Sequence, residues 1–200
     1  RQFGSNLDDR LYSVATNSSG QVYATGTISG SVNGANLGQT DGLLVRYDLN
    51  GRRKWARQFG TPEYDYSMAV ATTRSGDTYA VGYTYGGFGA ANSGPGGTED
   101  VFLVKFDRNG RRKWVRQFGS AQDDEGLAVA VSPTGDVYVA GTTRGDITPG
   151  DFFDPLGGSD LFVARYDKNG NRIWIHQAGS AGDDQVGGIA LYPTNDVAYV

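Results

Sequence analysis

Four aspartates recur at one position of the sequence and are the first candidates for chemistry. Each stands five residues after a glycine: Asp9, Asp65, Asp124 and Asp184. Another acid precedes three of them, whereas the second is preceded by Tyr64. Carboxylates gathered at one point could hold Ca²⁺, which takes about six to eight oxygens. An aspartate in a tight turn instead accepts backbone N–H groups. Because one Asp pair supplies too few oxygens, the sequence favours turn residues and keeps calcium as the weaker alternative.

Large aromatic side chains form the second group of candidates, within two glycine-rich segments. They are Tyr83, Tyr85 and Phe88 in one segment, and Phe152 and Phe153 in the other. Rings of this kind stack on sugars or anchor partner proteins. They also fold back to cap the edges of sheets, because large aromatic side chains seldom stay exposed. Both interpretations stay open, and these five residues are the binding-face candidates.

The single histidine, His176, invites a catalytic interpretation that the sequence register argues against. It occupies the position that Arg57 and Arg116 hold elsewhere, which marks it as a structural residue that has drifted. No serine or cysteine with a positioned partner accompanies it, and the chain has no cysteine at all. We therefore predict that the chain is not an enzyme.

An internal repeat of about 60 residues must position all of these side chains. The tetrapeptide Arg-Gln-Phe-Gly occupies residues 1–4, 57–60 and 116–119, and a degraded copy occupies 176–179. Tryptophans follow the same spacing, at Trp55, Trp114 and Trp174. The repeat divides the chain into units 5–60, 61–119, 120–179 and an incomplete 180–200.

Each unit contains four apolar runs that predict β-strands A to D. In the third unit they are 127–131, 136–140, 160–166 and 172–176. The C and D strands are joined by Asp-x-Asn-Gly, a strong hairpin signal. Small alanines recur in strand A, and the larger Trp and Phe recur in strand D, as wedge-shaped radial packing requires. The sequence therefore predicts an all-β fold, a β-propeller with four-stranded antiparallel blades.

The repeat also resembles a known family. Its units carry Ala-Val-Ala, then Gly-Asp-Val-Tyr-Val-Ala-Gly, Asp-x-Phe-Val-x-(Arg/Lys)-Tyr-Asp-x-Asn-Gly and Trp-x-Arg-Gln-Phe-Gly. This pattern is similar to the SBBP repeat, the bacterial seven-bladed β-propeller repeat, over essentially the whole chain. The resemblance implies a ring of about seven blades within a large secreted or surface protein. We expect a secreted or cell-surface location.

The strand count predicts a partial ring within a single propeller fragment, 1–200: three full blades and parts of the flanking ones. We expect the missing blades to come from a longer parent chain or from a second copy, because a ring needs about four to eight blades. Length varies mainly in the B-to-C loops, predicted at 27–40, 83–99 and 142–159. These loops share a face with the D-to-A loops, where the recurrent aspartates would surround the channel mouth. Insertions confined to one face usually mark the binding face.

Composition narrows the function further. The net charge is −4 and the basic residues are spread evenly, so nucleic acid is not the expected partner. The chain has no apolar stretch long enough to enter a membrane. We predict a non-catalytic scaffold that binds protein or polysaccharide through the long loops, without a cofactor unless calcium is bound. The alternatives are a structural subunit of a surface fibre or layer, and a propeller-type glycan hydrolase or lyase. The last is disfavoured because the acids repeat in every unit.

Overall fold

The computed structural model describes residues 3–32, 34, 36–89, 93–94, 97–148, 157–192 and 198–200. Within these ranges the chain forms fourteen β-strands and no helix. Accordingly, the described part of the chain contains no helical segment that would traverse a bilayer. The predicted all-β class is confirmed.

Twelve of the strands form three antiparallel sheets with the same topology. Each sheet is a meander in which the strands lie in sequence order. The first comprises β1 (Asp9–Thr16), β2 (Val22–Ile28), β3 (Asp41–Tyr47) and β4 (Arg53–Phe59). The second comprises β5 (Asp65–Thr72), β6 (Thr78–Thr84), β7 (Asp100–Phe106) and β8 (Arg112–Phe118). The third comprises β9 (Asp124–Val131), β10 (Val137–Thr143), β11 (Asp160–Tyr166) and β12 (Arg172–Ala178). Four-stranded antiparallel sheets of this kind are consistent with the blades that the sequence predicts.

The Asp-x-Asn-Gly segments form the turns that join the third and fourth strands of each sheet. In the first, Gly51 adopts a φ of 71° and its N–H donates to the Asp48 carbonyl at 2.9 Å. The Asp48 carboxylate accepts the N–H groups of Asn50 and Arg52 at 3.0 and 2.9 Å. The side chain thus stabilises the turn locally, which explains why the same residues recur in the other two hairpins.

A glycine in each second strand has a steric rather than a conformational role. A Cβ on Gly82 would lie 1.8 Å from the carbonyl oxygen of Tyr66 in the neighbouring strand. The close approach occurs where the first strand carries a β-bulge, between Ser67 and Ala69. The predicted end of the second strand at this glycine is wrong, because the strand continues two residues further to Thr84. As a result, Tyr83 lies in strand β6 and not in the loop.

Aromatic rings from the last strand of one sheet fill the space against the next sheet. Phe59 of β4 packs on Phe102 and Phe106 of β7, with ring centroids 5.9 and 5.3 Å apart. Phe118 of β8 packs in the same way on Phe162 of β11, at 5.8 Å. The first strands of successive sheets also contact each other, β1 with β5 and β5 with β9. The hydrophobic core therefore lies between the sheets, as expected for wedge-shaped units.

Directional hydrogen bonds join each sheet to the next. The Arg57 guanidinium Nε donates to the Gly110 carbonyl at 2.7 Å, and the Trp55 indole N–H donates to the Arg108 carbonyl at 3.1 Å. Arg116 and Trp114 repeat these bonds to the third sheet's hairpin. In these four bonds the donors belong to the fourth strand and the acceptors to the following hairpin. His176 therefore occupies the position of a residue that joins sheets.

The first sheet and the segment after the third sheet differ from the sheets between them. Val14 in β1 and Val70 in β5 occupy the same repeat position, yet Val14 is 65% exposed and Val70 only 6%. After the third sheet the chain forms only a short pair, β13 (Ala190–Leu191) and β14 (Ala198–Tyr199). The described strands do not close a ring.

Candidate ligand-binding site

Four tyrosines converge at one end of the second sheet and form the tyrosine cluster: Tyr64, Tyr66, Tyr83 and Tyr85. Tyr66 of β5 and Tyr83 of β6 are cross-strand partners, so their side chains share one face of the sheet. Tyr64 belongs to the connection before β5, and Tyr85 follows β6 directly. The Tyr85 N–H donates to the Tyr64 carbonyl at 3.0 Å, which holds the two connections side by side.

The rings of the cluster contact one another in a chain. Tyr66 and Tyr83 are stacked, with centroids 4.9 Å apart and planes 23° apart. Tyr64 stacks on Tyr66 at 6.4 Å and meets Tyr85 edge-on at 6.1 Å. Such contacts restrict the rings before any ligand arrives, which lowers the entropic cost of binding.

An open surface cavity of about 610 Å³ adjoins the cluster. It is lined by Tyr64, Tyr66 and Tyr85 together with Glu63 and Gly97. Tyr64 is 39% exposed, so part of its ring faces the solvent. The cavity therefore combines aromatic surface with solvent access, which a ligand site requires.

Three carboxyl groups beside the cluster form the acidic trio: Glu99, Asp123 and Glu125. The Tyr85 hydroxyl donates to the Glu99 carboxylate, and the Glu99 N–H donates to the Asp123 carboxylate at 3.3 Å. Burial, together with the nearby charges of Glu125 and Asp123, raises the pKa of Glu99 to about 7. The Tyr85 hydroxyl opposes this change because it donates to the charged form of the carboxyl group.

The tyrosine cluster belongs to one repeat only. The position of Tyr64 holds aspartate in the other three units, and the position of Tyr66 holds Arg10, Glu125 and Gln185. Tyr83 and Tyr85 likewise stand where the first and third units have Thr27 and Ser29, and Thr142 and Arg144. Sequence reasoning identified Tyr83 and Tyr85 but missed Tyr64 and Tyr66. The available signal was the loss of the repeated acid at position 64.

The recurrent aspartates act in the turns that precede the first strands. Backbone N–H groups four residues earlier donate to their carboxylates, at 2.6 Å from Thr61 to Asp65 and 2.5 Å from Ser120 to Asp124. Asp9 and Asp184 accept the corresponding bonds at 2.5 and 2.7 Å. Asp65 and Asp124 are fully buried, so their carboxylates face the turns that they stabilise and not the solvent. In the described segments, no group of three or more acidic, histidine or cysteine side chains is arranged to hold a metal ion.

A second buried aspartate faces the first one at each junction between sheets. Asp41 Oδ2 accepts a hydrogen bond from the Gln58 amide at 2.6 Å, whereas its buried Oδ1 accepts none within the described residues. Gly60 separates Asp41 from Asp65, since a Cβ there would lie 2.4 and 2.6 Å from their carboxylate oxygens. Burial raises the pKa of Asp65 to about 6. The same arrangement joins Asp100 and Asp124 across Gly119, and these acids therefore serve the junctions between sheets.

The remaining candidates lie away from the cavity or outside the described residues. The Phe88 ring packs 5.3 Å from the buried Phe102 ring, and its N–H donates to the Gln117 side chain at 2.8 Å. This is the capping role that the sequence analysis weighed beside binding. Phe152 and Phe153 lie outside the described residues. The exposed His176 ring stands 5.0 Å from Trp174 in β12.

Two comparisons relate this chain to known proteins. A family model for the β-propeller repeat of the SBBP type matches residues 113–148, which confirms the resemblance noted from the sequence. The matched segment runs from β8 through β10. The chain is also similar to the regulatory protein FlaEY of Caulobacter vibrioides, with 27% identity over 209 residues. The similarity covers 94% of this chain and 22% of FlaEY, so the chain spans about a fifth of that protein.

Proposed function

We propose that this chain is part of a non-catalytic interaction scaffold whose tyrosine cluster binds a partner protein. The observation that carries the proposal is the cluster itself, which adjoins an open cavity and occurs in a single repeat. Residues that only stabilise the sheets recur in every unit, as the hairpin aspartates do. A feature confined to one unit has no such structural requirement, and one asymmetric ligand needs only one site.

Three further properties favour a protein as the ligand. Tyrosine is enriched at protein interfaces because it offers a large rigid surface and a polar tip. The cavity is open rather than enclosed, as suits a side chain that projects from a partner surface. The similar FlaEY is named as a regulatory protein, which accords with a role in binding. A secreted or cell-surface location remains our prediction from the sequence.

The proposal is tested by replacing Tyr64 with the residue that the other units use. Tyr64→Asp removes the exposed ring while keeping a residue that this turn accommodates three times elsewhere. The matched control is Leu49→Arg, which removes a 71% exposed apolar side chain from a hairpin at the opposite end of the sheets. Both variants are introduced into the full-length parent protein and tagged for capture from its own cells.

Captured proteins are identified by mass spectrometry and retested as purified pairs by calorimetry. We expect Tyr64→Asp to weaken binding of an authentic partner about tenfold or more, the size of effect typical of a buried aromatic anchor. Leu49→Arg should leave the affinity unchanged. Equal binding by wild type and Tyr64→Asp would contradict the proposal.

The exposed face of β1 favours a second role, as one unit of a larger array. Val14 and Leu11 are 65% and 60% exposed in β1, while the equivalent valine of β5 is covered by the preceding sheet. We infer that another sheet, from the parent chain or from a second copy, covers this face. Light scattering tests self-association: dimers or larger species that Val14→Lys dissociates favour a second copy. A stable monomer excludes it.

A further inference from the structure

Negative charge collects beside the tyrosine cluster, where the Arg10 charge acts on Tyr66 but forms no ion pair among the described residues. The described residues form two ion pairs, Lys105 with Asp77 and Arg165 with Asp136, and neither includes the acidic trio. The trio is held together by backbone bonds, since the Asp124 N–H donates to the Glu99 carbonyl at 2.9 Å. Three carboxyl groups fixed in this way create a negative potential at the edge of the cavity.

The rest of the molecule shows how this chain satisfies a tyrosine beside a carboxylate. The Lys105 ammonium lies 5.3 Å from the centre of the Tyr79 ring and 3.1 Å from the Asp77 carboxylate. In the third sheet the Arg165 guanidinium lies 5.4 Å from the Tyr138 ring, with Asp136 as its ion-pair partner. In both places one cation contacts a tyrosine face and an acid together.

We propose that the cavity binds a cationic side chain, the guanidinium of arginine or the ammonium of lysine, presented by a partner polypeptide. The inference rests on the proposed function and specifies the chemistry of the partner. The cation would contact the tyrosine faces by cation–π attraction and the acidic trio by charge. Neutral rings are needed for this, and burial raises the pKa of Tyr83 well above the physiological range.

The negative charge beside the cavity favours a cationic ligand over a neutral sugar. Stacked tyrosines suit either ligand, but like charges that are partly buried together are costly until a cation approaches them. The raised pKa of Glu99 reflects that cost. An approaching cation stabilises the ionised form of Glu99, so binding should release a proton near pH 7 and strengthen as the pH rises to 8. The other titratable groups that interact with Glu99 are Asp123, Glu125, Tyr85, Tyr66 and Tyr83, and the Arg10 charge acts on Tyr66.

The test uses small probes that differ only in charge. N-acetyl-arginine amide and N-acetyl-lysine amide are titrated at pH 8, followed by amide NMR shifts of Tyr85 and Gly97. N-acetyl-citrulline amide, a neutral analogue of the arginine probe, and methyl glucoside serve as comparison ligands. We expect the two cations to bind with millimolar affinity and citrulline to bind at least about threefold more weakly, as loss of one partly exposed ion pair predicts. Binding of the cations should also weaken as the salt concentration rises.

The protein side of the test uses Glu99→Gln, which keeps an acceptor for Tyr85 and removes the charge. Cation affinity should fall about threefold to fivefold at pH 8, and the pH dependence should flatten. Asp48→Asn, in a distant hairpin, is the control and should change neither. Citrulline binding as well as arginine, or glucoside binding in preference to both, overturns the cation proposal. If partner capture depends on Tyr64 while no cation probe binds, the cationic ligand is wrong and the scaffold function stands. If the cation probes bind but Tyr64→Asp binds the captured partner as tightly as wild type does, the scaffold function is wrong.

Discussion

The buried carboxyl group of Asp65 should make the stability of the protein fall as the pH rises from about 4 to 7. The side chain is fully buried, and Oδ1 accepts no hydrogen bond among the described residues. Burial is the main cause that raises its pKa, to about 6, and the Asp41 charge acts in the same direction. The Thr61 N–H and the neighbouring threonine hydroxyls oppose it.

The sign and size follow from the difference between folded and unfolded states. The folded protein holds this proton more tightly than the unfolded chain, whose aspartates titrate near 3.9. The free energy of unfolding therefore decreases through the window between the two pKa values, and the loss is complete above pH 6 to 7. A difference of this size corresponds to about 2–3 kcal/mol at pH 8.

Asp65→Asn isolates the effect, because the amide keeps an acceptor for the Thr61 N–H and never ionises. We expect the variant to lie within about 0.5 kcal/mol of wild type near pH 4 and to be more stable than wild type by about 2–3 kcal/mol at pH 8. Urea unfolding at half-unit pH steps measures the difference directly. Asp48→Asn is the control, since the pKa of this exposed turn acid is lowered by the Arg52 N–H and it stays ionised throughout. A difference between Asp65→Asn and wild type that is constant from pH 5 to 8 would refute the reasoning.

Three other predictions concern the junctions and the site. Gly60→Ala should destabilise the protein by about 2 kcal/mol or more in urea unfolding, because the added Cβ would overlap two buried carboxylates; Gly187→Ala, with open space around it, should be neutral. Arg57→Ala should cost about 1–3 kcal/mol in the same measurement, since it leaves hairpin carbonyls of the next sheet without their donor; Arg57→Lys should restore only part. Tyr85→Phe should raise the pKa of Glu99 above its value of about 7, because the hydroxyl stabilises the ionised form. Carboxyl-carbon NMR titration of Glu99 measures that pKa, and a lower value in Tyr85→Phe would contradict the assigned hydrogen bond.

The fold was predictable because its determinants are local and repeated. The Asp-x-Asn-Gly hairpins fix their own geometry through hydrogen bonds within four residues, so the sequence alone predicts them. The packing of Phe59 on the next sheet follows from a large residue recurring at one register. The end of the second strand was harder to predict from the sequence, because the close approach of the Tyr66 carbonyl to Gly82 depends on a bulge in the neighbouring strand.

The candidate site was predictable only in part, because it joins residues from distant segments. Tyr66 and Tyr83 are 17 positions apart in sequence and meet as cross-strand partners. Glu99 directly precedes β7 of the second sheet and Glu125 lies in β9 of the third, so the two act on each other only once those sheets are packed. The repeat register offered one usable sign, the replacement of an acid by Tyr64. A search for departures from the repeat would have found the cluster more directly than a search for long loops.

The hydrogen bonds that Arg57 and Trp55 donate to the next sheet have a direction, with donors on one side and acceptors on the other. The second sheet carries both halves of the connection, because its hairpin accepts bonds from β4 and its last strand donates the same bonds to the hairpin of the third sheet. Duplicating a unit within the gene would therefore supply a matching joint on each side without any new interface having to evolve. Such an array can lengthen by whole units while each copy diverges freely at its ends, and a single unit can acquire four tyrosines while its neighbours remain unchanged.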